Sequence, residues 1–266
     1  MPSSLVHLSD LHFGAGRRLE RRTSALVQRL VDDDVDHVVV TGDVTENGTF
    51  AQFERFARVF EPLAARGRLT VVPGNHDRLG DDIAELTMAG ERVRVRRAPG
   101  LHLVLCDSTR RRPGLAIVAH GELPAPELDA IEAALASAEP GALVCVLLHH
   151  HVTHMPHESL FEALGSALGL PFADPLASGP ELLRRLRGRC DLVLHGHRHR
   201  PSERWLGGPR PLGIFNAGCS PALQTARRFV HAAGRLLGAP QWLASQQPSA
   251  SHAQLLTLAA TTCSPL

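Results

Sequence analysis

The 266-residue sequence contains no lysine and no tyrosine, and aromatic residues make up only 4% of it. Few aromatic rings are therefore available to stack on the bases of a single-stranded nucleic acid. Positive charge comes from arginine alone, and the 28 basic residues nearly balance the 27 acidic ones. The resulting formal net charge of +1 excludes a strong bulk attraction to nucleic acid or to an anionic membrane.

Long apolar runs are also absent, and cysteines are few. No stretch reaches the ~18 consecutive apolar residues that a membrane-spanning helix needs, and the opening "MPSSLVHLSD" has no basic segment of the signal-peptide type. The five cysteines are scattered and odd in number, which favours reduced residues in a protein core over a disulfide framework. We therefore expect a cytoplasmic protein without a membrane span.

Short apolar runs alternate with longer amphipathic ones along the first third of the chain. In order they are "LVHLS", residues 17–33, "DHVVVT", residues 49–65 and "LTVVPG". This β-α-β-α-β pattern predicts a parallel sheet with right-handed crossovers.

The middle of the chain changes character before the alternation returns. Closely spaced strands are predicted at "RVRVRRA", "LHLVLCDS" and "LAIVAH", which indicates a second, meandering sheet. Helices at residues 126–138 and 179–187 and strands at "ALVCVLL", "DLVLHG", 204–206 and 213–216 follow. The expected fold class is α/β with two sheets.

Aspartate, asparagine and histidine residues, which commonly bind metals in proteins, follow most of these strands. The loop that directly follows a strand is called the strand exit. The strand exits carry Asp10 and His12 in "SDLHFG", Asp43 in "TGDVTENG", Asn75, His76 and Asp77 in "PGNHD", the histidines of "LLHHHV" and those of "LHGHRH". Because the carboxyl ends of parallel strands open into one crevice, we expect these side chains to converge. Oxygen and imidazole ligands without cysteine suit manganese, iron or zinc rather than a structural thiolate zinc site.

This set contains more ligands than one ion can use, so it predicts two ions. Asp43 follows the apolar run "VVVTG" directly, where burying an acid is costly. A carboxylate shared by two cations has its charge compensated, and sharing would explain why an acid ends a buried strand.

The five motifs, in this order, resemble those of the calcineurin-like metallophosphoesterases, particularly the bacterial cyclic-nucleotide phosphodiesterase type. The resemblance runs from about Leu5 to Ser220. It implies a four-layer α/β/β/α sandwich of two mixed sheets with a dinuclear metal site at the C-terminal ends of the strands. It also implies a metal-dependent phosphoesterase that hydrolyses a phosphodiester, of a small molecule or a nucleotide, through a hydroxide that bridges the two ions.

The resemblance further implies a role for each residue. One metal would take Asp10, His12, Asp43 and His199, and its neighbour would take Asp43, Asn75, His149 and His197. His76 would be catalytic by stabilising the phosphorus centre or protonating the leaving oxygen, and Asp77 would orient its imidazole. The family's ligand follows its strand directly, which favours His149 over His150 and His151. The expected cofactors are two divalent or trivalent ions, manganese or iron or both, with zinc as a third candidate.

The same reading divides the chain into two parts. Residues 1–220 are predicted to form the metallophosphoesterase catalytic domain. Beyond Ser220 the periodicity weakens, "SQQPSASHAQ" is typical of a linker, and a last apolar stretch, "LLTLAATTC", follows. Residues 221–266 are therefore predicted to be a C-terminal extension that is partly flexible.

Several alternatives stay open at this point. The arginine clusters "RRLERR", "RVRVRR", "TRRRP" and "RRLRGR" could follow phosphates in a nuclease acting on DNA or RNA, although without lysine they are more simply solvated faces. The stretch "HGHRHRP" is also similar to the UDP-diacylglucosamine pyrophosphatases, but only within the metal motif. A complete ligand set disfavours a non-catalytic scaffold.

The segment 155–172 also has two interpretations. It could form either a core helix face or an apolar wall of a substrate pocket. Whether the chain forms a homodimer stays open.

Overall fold

The computed structural model describes residues 1–110, 120–156 and 174–245. The helices in these ranges are α1 (Arg17–Asp32), α2 (Phe50–Ala64), α3 (Ala84–Met88), α4 (Ala125–Ala136), α5 (Gly179–Leu186) and α6 (Ser220–Leu223). The strands are β1 (Ser3–Leu8), β2 (His37–Thr41), β3 (Leu69–Val72), β4 (Val93–Ala98), β5 (Leu101–Cys106), β6 (Leu143–Leu147), β7 (Leu192–His195), β8 (Ser202–Leu206), β9 (Leu212–Asn216), β10 (Thr225–Ala232), β11 (Arg235–Leu236) and β12 (Gln241–Ala244). The predicted strand "LAIVAH" falls mostly outside the described residues.

The strands form two mixed sheets. In the first, the order is β11-β10-β1-β2-β3, with β12 also paired to β10. Strands β1, β2 and β3 are parallel, and β10 runs antiparallel to β1. In the second, the order is β4-β5-β6-β7-β9-β8, with antiparallel edge strands β4 and β8 on a parallel centre. The prediction of two mixed sheets is confirmed.

Alternation along β2 shows how the layers are assembled. Val38 and Val40 face the helices, in a cluster that includes Phe56 and Phe60 of α2. Val39 faces the opposite way, into the cluster that the two sheets share. Successive side chains of a strand point to opposite faces, so a strand covered on both faces is a continuous apolar run.

The second sheet is covered in the same manner. Helices α4 and α5 bury their apolar faces against its outer side, with Ile131 and Leu182 fully buried beside Val144 and Val193. The layers are therefore helix, sheet, sheet and helix, as predicted. None of the described helices is long and apolar enough to cross a membrane.

The chain beyond Ser220 contributes to the first sheet. Strand β10 pairs with β1 from Ser3 opposite His231 to His7 opposite Arg227, and Phe229 is fully buried between the sheets. Residues beyond the predicted boundary at 220 therefore belong to the same sheet as β1. Residues 246–266 are outside the described part of the chain.

This arrangement predicts different outcomes for two truncations. A chain that ends at Ser245 keeps every described strand and should unfold cooperatively, with nearly full-length stability. A chain that ends at Ser220 loses β10, leaves β1 as an unpaired edge and removes Phe229 from the core, so it should not fold. Urea unfolding followed by circular dichroism distinguishes them, and a cooperatively folded 1–220 chain would contradict the prediction.

Candidate metal centre

The predicted ligands lie where β1, β2, β3, β6 and β7 end. Four of them, Asp10, His12, Asp43 and His197, have left-handed backbone conformations, with φ of 55°, 48°, 47° and 69°. Residues with a side chain rarely adopt this conformation, and such strain is concentrated at functional sites. The loops therefore turn sharply at the ligand positions themselves.

One group of side chains gathers Asp10, His12, His199 and Asp43. The Nε2 atoms of His12 and His199 are 3.2 Å apart. His199 Nε2 lies 3.7 Å from Asp10 Oδ1, and His12 Nε2 lies 3.8 Å from Asp43 Oδ2. Three of these residues, Asp10, His12 and His199, have ligand atoms close enough together to hold one ion.

A second group gathers around the Asn75 amide. Asn75 Oδ1 lies 3.1 Å from His149 Nε2 and 3.0 Å from His197 Nδ1. His149 Nε2 is in turn 3.5 Å from Asp43 Oδ2. The same oxygen of Asp43 thus lies within 3.8 Å of an imidazole nitrogen from each group.

Asp43 and His149 are buried at the centre of the cluster, whereas the His199 side chain is 49% exposed at its edge. Burial raises the pKa of Asp43, but the neighbouring imidazoles, His149 above all, outweigh it and hold that pKa well below its usual range. For His149, burial lowers the pKa, but the Asp43 carboxylate raises it to about 9. Both shifts have the same main cause, the attraction between the Asp43 carboxylate and the His149 imidazole beside it.

One carboxylate oxygen still lacks a partner. Asp10 is fully buried, and its Oδ2 has no hydrogen-bond donor among the described residues. An unpaired buried carboxylate oxygen is costly in a protein interior. Together with the converging imidazole nitrogens, this orphaned oxygen fits a site for cations.

A hydrogen bond on the far side of the His149 ring determines which of its nitrogens faces the cluster. His149 Nδ1 donates to the Thr41 carbonyl at 2.8 Å. A carbonyl only accepts, so the neutral ring presents an unprotonated Nε2 towards Asp43 and Asn75. This is the tautomer that a metal ligand requires.

The three consecutive histidines have separate environments. His149 lies beside Asp43, whereas His150 Nδ1 pairs with Ser108 Oγ at 2.9 Å. His151 stacks on the His197 ring at 5.8 Å between centroids. The choice of His149 as the ligand stays a prediction, and its Nε2 is the one of the three that lies 3.5 Å from Asp43 Oδ2.

His76 lies at the edge of the cluster and is half-buried. Its backbone N–H donates to Asp43 Oδ1 at 2.9 Å, and its ring Nδ1 donates to the Glu46 carbonyl at 2.8 Å. The ring packs edge-on against His12 with centroids 4.9 Å apart. Burial lowers the pKa of His76, but the Asp43 carboxylate and the Glu46 carbonyl outweigh it, so the pKa is raised.

The prediction that Asp77 orients the His76 imidazole is wrong. The Asp77 carboxylate is fully buried and accepts hydrogen bonds from the backbone N–H groups of Val44, Thr45 and Gly74 and from the Thr45 hydroxyl. The Glu46 carbonyl orients His76 instead. Asp77 therefore ties the exit of β2 to the exit of β3.

Two strand exits that carry no predicted ligand also reach the site, and the sequence motifs did not indicate them. After β5, Asp107 binds the buried Arg78 guanidinium in an ion pair, and Ser108 contacts the histidine turn. After β9, Asn216 Nδ2 donates to the Gly196 carbonyl at 2.9 Å. The only signal for these residues was a polar group placed directly after an apolar strand.

The remaining candidates are placed as follows. His195 is fully buried at the end of β7, and its Nδ1 lies 3.3 Å from the Gly196 carbonyl oxygen. The Arg198 guanidinium donates to the Pro156 carbonyl at 3.0 Å. Of the segment 155–172, only residues 155 and 156 belong to the described part of the chain, with Met155 buried.

Comparisons with known proteins point the same way as the geometry. A family model for calcineurin-like phosphoesterases matches residues 3–201. The chain is 31% identical over 225 residues to a 3',5'-cyclic adenosine monophosphate phosphodiesterase of Pseudomonas aeruginosa, covering 78% of this chain and 74% of that protein. It is 29% identical over 236 residues to a cAMP/cGMP dual specificity phosphodiesterase of Mycobacterium tuberculosis (strain CDC 1551 / Oshkosh), covering 81% and 67%.

A solved structure shows the same fold at low sequence identity. A purple acid phosphatase from yellow lupin seeds superposes with a TM-score of 0.65 at 15% identity. The match covers 92% of this chain and 52% of the lupin chain, so this chain spans about half the length of that protein. At this identity the likeness supports the fold alone.

The corrected role of Asp77 gives a stability prediction. In Asp77→Ala, three buried backbone N–H groups lose their acceptor, and unfolding free energy should fall by about 3 kcal/mol or more. His76→Ala is the matched control, because it removes one hydrogen bond at a half-buried position and should cost about 1 kcal/mol. Urea denaturation monitored by circular dichroism measures both. Equal stability of Asp77→Ala and the wild type would contradict the assignment.

Proposed function

Because the chain belongs to the calcineurin-like phosphoesterase family, we propose that it hydrolyses a small phosphodiester, with a cyclic nucleotide as the leading candidate. The observation that carries the proposal is the position of Asp43 Oδ2, within 3.8 Å of an imidazole nitrogen of both ligand groups. A shared carboxylate between two sets of oxygen and nitrogen donors is the arrangement that a dinuclear centre needs.

The proposed ligand sets follow the two groups of side chains. One ion is assigned to Asp10, His12, Asp43 and His199, and the other to Asp43, Asn75, His149 and His197. Manganese and iron suit this mixture of carboxylate, amide and imidazole donors, and zinc is the third candidate. The orphaned Asp10 oxygen and the tautomer of His149 both support the assignment.

Cations held by these residues would supply Lewis-acid chemistry, which polarises phosphoryl oxygens and lowers the pKa of water. The chain's own part is to orient the substrate and move a proton. With its Nδ1 held by the Glu46 carbonyl, His76 has Nε2 available for the substrate. We assign His76 as the group that donates a proton to the leaving oxygen.

The charges around the site favour a diester over a monoester. Arg78 follows one predicted ligand motif and Arg198 lies within another, and both side chains are engaged elsewhere. Arg78 binds Asp107, Asp82 and Glu85, and Arg198 donates to the Pro156 carbonyl. A monoester dianion needs additional positive groups around its oxygens, whereas a diester carries a single negative charge.

The Glu46 carboxylate adds to this preference. It lies 2.8 Å from His12 Nδ1, and its side chain is 33% exposed. A negative charge at this position would repel a second negative charge on a bound phosphoryl group. The named activities of the bacterial relatives, which act on cyclic nucleotides, are consistent with a diester substrate.

The arginine clusters give less support to a nucleic-acid substrate. In α5, Arg184 and Arg185 pair with Glu181, and on β4 the Arg94 guanidinium pairs with Glu91. Arginines compensated by acidic neighbours do not form a strongly positive track for a phosphate backbone. A nuclease activity is therefore an outcome that the substrate test distinguishes.

The proposal predicts a substrate order. After manganese loading, cyclic nucleotides and bis-p-nitrophenyl phosphate should be hydrolysed with higher kcat/KM than p-nitrophenyl phosphate, because Arg78 and Arg198 are engaged elsewhere and the Glu46 carboxylate would repel a dianion. The matched control is Asp43→Asn, which should lose nearly all turnover and most bound metal while remaining folded. Faster hydrolysis of the monoester would overturn the diester assignment, and preferential cleavage of long DNA or RNA would support a nuclease.

The role of His76 gives a separate prediction. His76→Ala should retain both ions and lose about 10²–10⁴-fold in rate on a cyclic nucleotide, the usual scale of general acid catalysis. The loss should be much smaller on bis-p-nitrophenyl phosphate, because p-nitrophenolate leaves without protonation. Metal analysis and steady-state kinetics measure the two effects. If His76→Ala emptied a metal site, His76 would have to be reassigned as a ligand.

A further inference from the structure

Two fully buried serines occupy the two strand exits that carry no proposed metal ligand. Ser108 follows β5, and Ser220 follows β9 as the first residue of α6. Both side chains contact the backbone of a neighbouring loop that does carry a ligand. The two serines therefore have similar positions and similar contacts relative to the candidate ligands.

Ser108 holds the turn that contains His149. Its Oγ accepts from the backbone N–H groups of His149 and His150, both at 3.3 Å, and lies 2.9 Å from His150 Nδ1. Because its lone pairs take the two N–H groups, the hydroxyl proton can be donated to His150 Nδ1. The position of the His149 backbone thus depends on this hydroxyl.

Ser220 holds the turn that contains Asp10. Its Oγ accepts from the Ser9 N–H at 3.0 Å, and its own N–H donates to the Ser9 carbonyl at 3.1 Å. The adjacent Cys219 N–H donates to the His199 carbonyl at 3.1 Å. The start of α6 is therefore hydrogen-bonded to both the loop of Asp10 and the loop of His199.

The two serines contact different ligand groups. Ser108 contacts the loop of His149, which belongs to the group around Asn75. Ser220 contacts the residue before Asp10, which belongs to the group with His199. Within the described part of the chain, each hydroxyl hydrogen-bonds only to the loop of its own group, so their effects on the two ions should be separable.

We propose that Ser108 and Ser220 are positioning residues, each of which sets the affinity of one ion of the dinuclear centre. Ser108 acts on the ion of Asn75, His149 and His197, and Ser220 acts on the ion of Asp10, His12 and His199. The inference rests on the proposed function, because it takes the two ligand sets as assigned there. Residues that hydrogen-bond a metal-binding residue, without contacting the metal themselves, typically change the metal affinity by about 10–100-fold.

The test measures binding of Mn²⁺ alone to chelator-treated protein by isothermal titration calorimetry. In Ser108→Ala and Ser220→Ala, one of the two ions should bind about 10–100-fold more weakly and the other should be unchanged. Ser4→Ala is the matched control, because Ser4 is a buried serine at the opposite end of β1 whose hydroxyl pairs with Asp36. It should leave both affinities unchanged.

Backgrounds with one ligand group disabled identify the affected ion. In a His199→Ala background, the single remaining ion should be weakened by Ser108→Ala and not by Ser220→Ala. In a His197→Ala background, the order should be reversed. A serine that only stabilised the fold would weaken both ions alike, so the crossed pattern is specific to positioning.

The remaining outcomes each decide a different point. If the wild type binds fewer than two ions, the dinuclear centre and this inference both fail. If it binds two, but the serine variants weaken the binding of both ions equally or of neither, this inference alone fails.

Should an alanine variant not fold, the near-isosteric Ser108→Cys and Ser220→Cys replace it. Their weaker acceptor should give a smaller loss at the same ion, and no loss would overturn the inference.

Discussion

Two buried carboxylates in one crevice are the constraint on which the rest of the site depends. Asp10 is fully buried and Asp43 is 2% exposed. The loss of water and the negative charge of Asp43 both raise the pKa of Asp10. Such a pair is tolerable only if positive charge is supplied between the side chains. The imidazoles of His12, His149 and His199 surround them, and the proposed cations would complete the compensation.

Holding these groups together requires that the loops be tied to each other as well as to their strands. Asp77 joins the exits of β2 and β3, and the ion pair of Arg78 with Asp107 joins β3 to β5. Ser108 then joins β5 to β6, and Ser220 joins β9 to β1. Contacts between neighbouring exits thus surround the crevice. Such links hold ligands in a geometry that isolated loops would lose to their own flexibility.

The candidate site could be predicted from the sequence because its ligands are local in the chain. Asp10 and His12 are separated by one residue, and Asp43 follows directly on a run that is apolar because β2 is covered on both faces. The convergence of the strand exits then follows from the parallel topology. The choice of His149 over its neighbours followed from its adjacency to β6. Its position beside Asp43 agrees with that choice.

Other features depend on residues far apart in the chain, and no sequence pattern indicated them. The partner of Asp77 could not be read from its place after His76, because the side chain turns back to Val44 and Thr45, more than thirty positions earlier. The pairing of β10 with β1 joins residues at opposite ends of the described chain. The sequence by itself therefore determined the candidate ligand types, their spacing and the two-sheet architecture, since these are encoded by short-range periodicity and motifs. Only the tertiary structure decided which hydrogen bonds hold the ligands, because a buried polar atom takes whichever partner the packed fold brings within reach.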